Sequence, residues 1–249
     1  MPQKNRSRPR PTKQGKSAAS SRRWLRKTWP HLGGVFQWIG LFMFIALGVL
    51  PALAWFVAPP STLMWARWLR GQPVERYAIP MGKMGKFIPQ MVLVAEDARY
   101  CLHAGVDWAE MGKVVASTGM DGPARGASTI PMQTAKNLYL WHGRSYVRKG
   151  LEIPLAYWLS QTWSKRRMLE VYLNMAEWGD GIFGIETAAR YYFGKSASLL
   201  TQGQVALLIT ALPDPLRRNP AKPGPGHRGM AAALAQRSMR EGGVDECLR

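Results

Sequence analysis

Cysteine and histidine are scarce in this chain, with two cysteines and four histidines among 249 residues. Cys101 and Cys247 are distant in sequence, no Cys-x-x-Cys occurs, and the histidines are scattered. That excludes a zinc-binding framework and a thioredoxin-type redox motif. Whether the two cysteines pair stays open. Acidic side chains are also few, 15 against 34 Lys and Arg, for a formal net charge of +19. The deficit is uneven. Residues 1–27 hold ten Lys or Arg and no acid, while the rest of the chain holds 24 basic and 15 acidic side chains. About half of the excess therefore belongs to a tail. Strict apolar–polar alternation is rare, which argues against a sheet protein. No internal repeat appears, and no low-complexity segment beyond the tail.

The tail is rich in Lys, Arg, Ser, Pro and Gln and cannot bury a core, so it reads as disordered. Taken alone it would read as a nucleic-acid arm. The apolar segment next to it changes that reading. Residues 35–57 carry no formal charge, and only Gln37 and Pro51 interrupt the apolar run. A helix of that length spans roughly 35 Å against a hydrocarbon core of about 30 Å. Trp24, Trp29, Trp38 and Trp55 fall near its two ends, where aromatic belts form. Ala52-Leu53-Ala54 has the look of a signal-peptidase site, but the run exceeds the usual h-region of about 7–15 residues, which favours an uncleaved anchor. Lys and Arg stay cytoplasmic, so the expected topology is single-pass in a bacterial inner membrane, N-terminus inside, C-terminal domain in the periplasm. The organisation expected is a disordered basic tail over 1–30, a transmembrane anchor over 31–58 and a periplasmic domain over 59–249. A nucleic-acid partner is not expected, because the basic tail abuts a membrane span and has no partner fold.

After Pro59-Pro60-Ser61, residues 63–69 interleave Trp65 and Trp68 with Arg67. This suits a helix at the membrane surface or an amphipathic helix packed on the domain. Residues 71–90 read as loop. Beyond them the spacing predicts helices over 88–101, 108–117, 129–140, 145–163, 165–176, 182–193, 201–212 and 228–240, hence a mainly α domain. Leu169, Tyr172, Leu173, Tyr191, Tyr192 and Phe193 fall at core spacing, and Lys165, Arg166 and Arg167 read as a solvated face or a headgroup contact.

Residues 91–107 are the most informative stretch. An apolar run carries Glu96 and Asp97 side by side, then Tyr100, His103 and Gly105. On a continuing helix Glu96, Tyr100 and His103 share one face, suiting a helix end that lines a cleft. The plain alternative is a solvated Glu-Asp pair. In residues 126–140, Ser128 or Thr129 can cap a helix whose free N–H groups would form an anion site, and Lys136 and Asn137 lie two turns in. Arg148 and Glu152 are four apart on the next helix, in the weaker order for an ion pair. Two separated carboxylates, basic groups and a helix start suit transfer at a sugar carbon with a phosphate leaving group.

These residues resemble the glycosyltransferase family 51 domain, over roughly residues 92–240. The first motif is similar to Glu96-Asp97-x-x-Tyr100-x-x-His103-x-Gly105, with Tyr where the family usually has Phe. The second runs from Gly126-Ala127-Ser128-Thr129-Ile130 to Gln133-x-x-Lys136-Asn137-Leu138. The third is Arg148-Lys149-x-x-Glu152, and the fourth is Lys165-x-x-Met168-Leu169-Glu170-x-Tyr172-Leu173-Asn174 with Gly179 and Gly181. The fifth is Ala206-Leu207-Leu208 leading to Pro213-x-Pro215. The resemblance implies a mainly α, lysozyme-like domain after one transmembrane helix, of the monofunctional branch because no transpeptidase domain follows Arg249. It implies polymerisation of lipid II into glycan strands by inverting transfer, with release of undecaprenyl diphosphate. Glu96 is then the general base and Glu152 the second catalytic carboxylate. Lys136 and Arg148 would neutralise the diphosphate, and Asp97, His103, Ser128, Thr129, Gln133, Asn137 and Lys149 would bind substrate or line the same subsite. His103 would orient the first motif by hydrogen bond. No cofactor follows with certainty; a divalent cation, Mg or Mn, at the diphosphate is left open, and no protein metal site is expected. Implied partners are lipid II, the nascent glycan strand, inner-membrane lipids, and cell-division or penicillin-binding proteins.

Two departures from the family bear on this. Pro131-Met132 replaces a Ser or Thr followed by Gln. Proline is tolerated in a first helical turn, while the lost amide implies weaker donor binding. Gln204 replaces a common Glu, implying one salt bridge fewer. The rival readings are a catalytically weak membrane-anchored scaffold, which rests on Pro131-Met132 alone, and a lytic enzyme, which has no use for Lys136 and Arg148.

Overall fold

The computed structural model describes residues 34–118, 128–143 and 145–249. The chain divides into two units, Met1–Val49 and Leu50–Arg249. The basic tail, Trp24, Trp29, and Gly126 and Ala127 of the second motif lie outside the described residues. Helix α1, Gly34–Leu53, is long and apolar enough to cross a membrane, with a mean hydropathy of 2.0 and only 6% of it buried. A helix so apolar and so little buried fits a lipid-facing anchor.

The second unit is helical, as the spacing predicts. Its helices are α2 (Thr62–Leu69), α3 (Phe87–Glu96), α4 (Trp108–Thr118), α5 (Ile130–Tyr139), α6 (Tyr146–Thr162), α7 (Lys165–Met175), α8 (Ile185–Phe193), α9 (Gln202–Ala211) and α10 (Pro225–Arg240). Helix α3 is the central rod. Ile88, Met91, Val92 and Leu93 are fully buried, and the helix packs against α9 and α10. On the other side α5 packs against α6 and α7, and α7 buries seven of its eleven residues. Residues 51–58 are tied to this core. Trp163 Nε1 donates to the Pro51 carbonyl at 2.9 Å, Arg167 Nε to Ala54 at 2.6 Å, and Arg76 Nη2 to Ala58 at 2.8 Å.

Several expectations are corrected. Helix α3 ends at Glu96 rather than near residue 101; Asp97 leaves the helical region (φ −161°, ψ 68°), and Tyr100–Leu102 forms a separate 3₁₀ turn. Glu96, Tyr100 and His103 therefore do not share a helix face. Tyr100 points inward with no exposed surface, and its hydroxyl donates to the Lys165 carbonyl at 2.8 Å, an acceptor that Phe could not use. Residues 182–193 split into a strand and α8, with Gly184 (φ +85°) between them. The stretch read as loop contributes β1 (Glu75–Arg76), which pairs parallel with β3 (Ile182–Phe183), while β2 (Glu177–Gly179) pairs antiparallel on the other edge of β3. Helix α10 starts three residues early, because Pro225 occupies the first turn after Gly224.

The basic run 165–167 is more than a solvated face, since each side chain has a partner in the fold although Arg166 is itself exposed. Lys165 Nζ donates to the Tyr100 and His103 carbonyls, Arg166 to Leu248, and Arg167 pairs with Glu170. Tyr191 is 62% exposed rather than core. Helix α2 is an amphipathic helix packed on the domain. Met64 is buried and Arg67 pairs with Glu177 and Asp180, while Trp65, Trp68 and Leu69 face outward. Gln204 loses no structural role, since with Thr201 it forms a capping box on α9. Cys101 and Cys247 are joined in a disulfide across 146 residues.

Gly105 fixes where the first motif meets the rest. Its φ is +95°, and a Cβ there would lie 2.7 Å from the Ala156 carbonyl oxygen and 2.9 Å from Tyr157 Cα, both backbone atoms of α6. Left-handed strain and overpacking against backbone add, so Gly105→Ala is expected to destabilise the domain by about 2–5 kcal/mol. Chemical denaturation checks this; an unchanged midpoint would mean that α6 moves aside freely.

Candidate active site

Asp97 joins the first two motifs. Its Oδ1 lies 2.8 Å from His103 Nε2, and its Oδ2 accepts the Ile130 N–H at 2.9 Å. Thr129 is the N-cap of α5; its hydroxyl accepts from Met132 N and donates to the Gly105 carbonyl at 2.5 Å. Pro131, inside the first turn, has no N–H to satisfy. The start of α5 is thus spent on the protein itself, which corrects the expectation that its free N–H groups form an anion site. The side chains of Asp97, His103 and Thr129 all lie inside, holding the two motifs together. Met132 is fully buried, so its side chain belongs to the core, and the replacement of an amide there removes nothing from the cleft.

The working groups face one another across α3, α5 and α6. Glu96 Oε2 accepts from Gln133 Nε2 at 3.0 Å. Gln133 is oriented by the buried Tyr172, whose hydroxyl donates to Gln133 Oε1 at 3.0 Å; this fixes the amide so that its N–H₂ faces the carboxylate. Sequence reasoning placed Tyr172 in the core, and the core spacing of α7 concealed this polar end. Gln133 Nε2 also lies 3.5 Å from the Ser128 carbonyl, and Ser128 Oγ accepts from Lys149 Nζ at 3.0 Å. Lys149 Nζ and Arg148 Nη1 then pair with the two oxygens of Glu152, which is 1% exposed. The i, i+4 pair forms despite its weaker order, because burial of Glu152 leaves a charge that must be matched. A polar chain therefore links Glu96, through Gln133, Ser128 and Lys149, to Glu152.

The two ends differ electrostatically. Burial pushes the Glu96 carboxyl above its ordinary value, and the Asp97 charge adds to this; the Gln133 hydrogen bond and the Lys136 charge oppose it. Burial lowers Lys136, with Arg148 and Lys149 adding to that shift and Glu152 and Glu96 opposing it. Among the described residues Lys136 Nζ has neither a hydrogen bond nor a salt bridge. It lines a cavity of about 200 Å³ with Gln133, Asn137, Tyr172 and His142. His142 was missed by sequence reasoning. Desolvation at the cavity wall, then the Lys136 and Arg148 charges, pulls its imidazole down to about 4. It is neutral there at pH 7.

Among the described residues no three His, Cys, Asp or Glu converge, and both oxygens of Glu152 are engaged by cations. What the arrangement offers is a carboxylate poised to take a proton and, next to it, a cationic pocket for an anion.

The chain matches the model of the transglycosylase family over residues 64–239. It is 49% identical to the biosynthetic peptidoglycan transglycosylase of Rhizobium meliloti, over 78% of this chain and 82% of that protein. It is 46% identical to the one from Brucella suis, over 85% and 97%, and 48% identical to the one from Agrobacterium fabrum, over 78% and 85%. The chain belongs to the transglycosylase family.

Proposed function

We propose that this protein is a peptidoglycan transglycosylase of cell-wall biosynthesis, polymerising lipid II by inverting transfer and releasing undecaprenyl diphosphate. The observation that carries the reading is the polar chain from Glu96 to Glu152, which sets a carboxylate of raised pKa beside a lysine at the cavity wall. Glu96 takes the proton of the acceptor GlcNAc 4-hydroxyl as that oxygen bonds to C1 of the donor MurNAc. The bond from C1 to the phosphate oxygen breaks on the opposite face, and the diphosphate leaves with the electron pair. Lys136, Arg148 and Lys149 meet the charge that develops there, where exclusion of water makes fixed cations most effective. Glu152 acts through Arg148 and Lys149, which it holds in place. Asn137 and Ser128 complete the donor subsite.

The proposed setting is the inner membrane, with a cytoplasmic basic tail over 1–30, the anchor over 31–58 and the domain over 59–249 in the periplasm. The apolar α1 and the disulfide both fit this placement, since disulfides persist in oxidising compartments. The scaffold reading loses its motivation, because Pro131 and Met132 fit the first turn and the core without touching the cleft. The test is polymerisation of labelled lipid II by the detergent-solubilised full chain. Glycan strands and undecaprenyl diphosphate are the expected products. A well-folded protein that yields neither, with or without divalent cations, rules the reaction out.

A further inference from the structure

The cavity that holds Lys136 is lined by one acid, and the proposed reaction gives it no part. Glu177, on β2, stands in the wall of this space of about 200 Å³ with Ser61, Gln133, Asn137 and Tyr172. It lies between the residues that the sequence motifs single out. Its side chain is 16% exposed. Glu177 Oε1 accepts the Gly181 N–H at 3.1 Å and lies 3.4 Å from Arg67 Nη1. Gly181 is itself tied down, since its carbonyl accepts from Glu75 N at 2.8 Å. Arg67 is turned more closely to Asp180, at 2.8 Å, and its Nε donates to the Pro73 carbonyl at 3.1 Å. Among the described residues Glu177 Oε2 makes no hydrogen bond. Burial pushes this carboxyl above its ordinary value against the Gly181 N–H and the Arg67 charge, and Asp180 adds to the rise. A carboxylate so placed is fixed at one oxygen and lacks a donor at the other.

We propose that Glu177 reads the donor sugar, its Oε2 accepting a hydroxyl or the acetamido N–H of the ring attached to the diphosphate; the assignment rests on the proposed reaction. Lys136 and Glu177 occupy different ends of the cavity. The charges that act on Lys136 are those of Glu152, Arg148, Lys149 and Glu96, and those that act on Glu177 are Arg67 and Asp180. A lipid-linked donor has three parts to set against the Glu177 end. A phosphate oxygen would place two anions side by side. A polyprenyl chain would desolvate the carboxylate and offer it no partner. A sugar ring supplies O–H and N–H donors and suffers neither cost. Gln133 borders the same cavity and holds Glu96, so the ring whose C1 reacts is within reach of this wall.

The test is single-addition kinetics with the full-length protein in detergent, at saturating lipid II as acceptor and with a titrated lipid-linked donor whose own GlcNAc 4-hydroxyl is blocked. Glu177→Gln keeps an oxygen for the Gly181 N–H and turns an amide N–H₂ toward the sugar, so the turn is kept and the contact is lost. It is expected to raise the donor KM by about 10–100-fold, the worth of a charged hydrogen bond, with the acceptor KM and the melting temperature unchanged. Two altered donors identify the group that is read. One lacks the MurNAc 6-hydroxyl, and the other has an ester oxygen in place of the 2-acetamido N–H. The donor without the contacted group raises the wild-type KM and leaves the KM of Glu177→Gln as it is. An unchanged donor KM in Glu177→Gln overturns the assignment, as does an equal rise in wild type and variant on the altered donors. A wild type that uses both altered donors like the parent also overturns it, a result that stands even if the variant misfolds. A wild type that transfers nothing from the parent donor overturns the proposed reaction, and the assignment falls with it.

Discussion

Glu96→Gln is expected to lower turnover on lipid II by about 10²–10⁴-fold, the range that a positioned general base supplies. The substitution preserves shape, and a carbonyl oxygen at the same place still accepts from Gln133 Nε2. Burial already disfavours the ionised carboxylate, so neutralising it should not weaken the fold. The loss is therefore chemical, and the melting temperature should stay close to that of the wild type. The cationic pocket remains, which is why residual activity above the uncatalysed rate is expected. Full activity in the variant would remove Glu96 from its role as base.

The same carboxylate sets the acidic limb of the pH profile. A base works only when deprotonated, so kcat/KM should climb with pH through the Glu96 pKa, which burial holds above the ordinary 4.5. Lys136 must be charged to meet the diphosphate, and burial lowers its pKa from 10.5. Activity should therefore fall on the alkaline side earlier than an exposed lysine would dictate. The bell is narrowed from both sides. An acidic limb at the value of a free glutamate would show that Glu96 is solvated when it works.

Much of this site could be read from the sequence because its polar groups come in short contiguous motifs. Glu96 ends an apolar helix, Thr129 caps the next, and Arg148 and Lys149 lie one turn before Glu152 on a third. Periodicity describes such local arrangements well. It fails where a distant partner overrides local preference. The helix stops at Glu96 because the Asp97 carboxylate is drawn to the Ile130 N–H, 33 residues on. The run 165–167 looks solvated because its acceptors are carbonyls far away in the chain, at Tyr100, His103 and Leu248. Tyr172 has core spacing, and nothing local reveals that its hydroxyl orients Gln133.

Reducing the Cys101–Cys247 disulfide, or replacing Cys247→Ser, is expected to cost about 2–5 kcal/mol of stability. The bond closes a separation of 146 residues, and loop-closure entropy alone gives an upper figure near 5 kcal/mol. The measured loss should fall in the lower half of the range, because the C-terminal segment keeps other attachments. Arg166 donates to the Leu248 carbonyl at 2.9 Å, Leu248 is buried, and Gln90 Nε2 donates to the Ser238 carbonyl at 2.7 Å. For a domain of this size the cost corresponds to roughly 5–15 °C in melting temperature. The consequence extends to the site, since Cys101 lies in the turn between Asp97 and His103, the pair that holds the first motif against the start of α5. Loosening that turn frees Asp97 before it disturbs Arg148 or Lys149 on α6, so activity should be lost on warming before global unfolding. Melts and activity–temperature curves with and without reductant measure both effects. Identical curves, or a free thiol in the oxidised protein by mass spectrometry, would show that the bridge holds neither the fold nor the first motif.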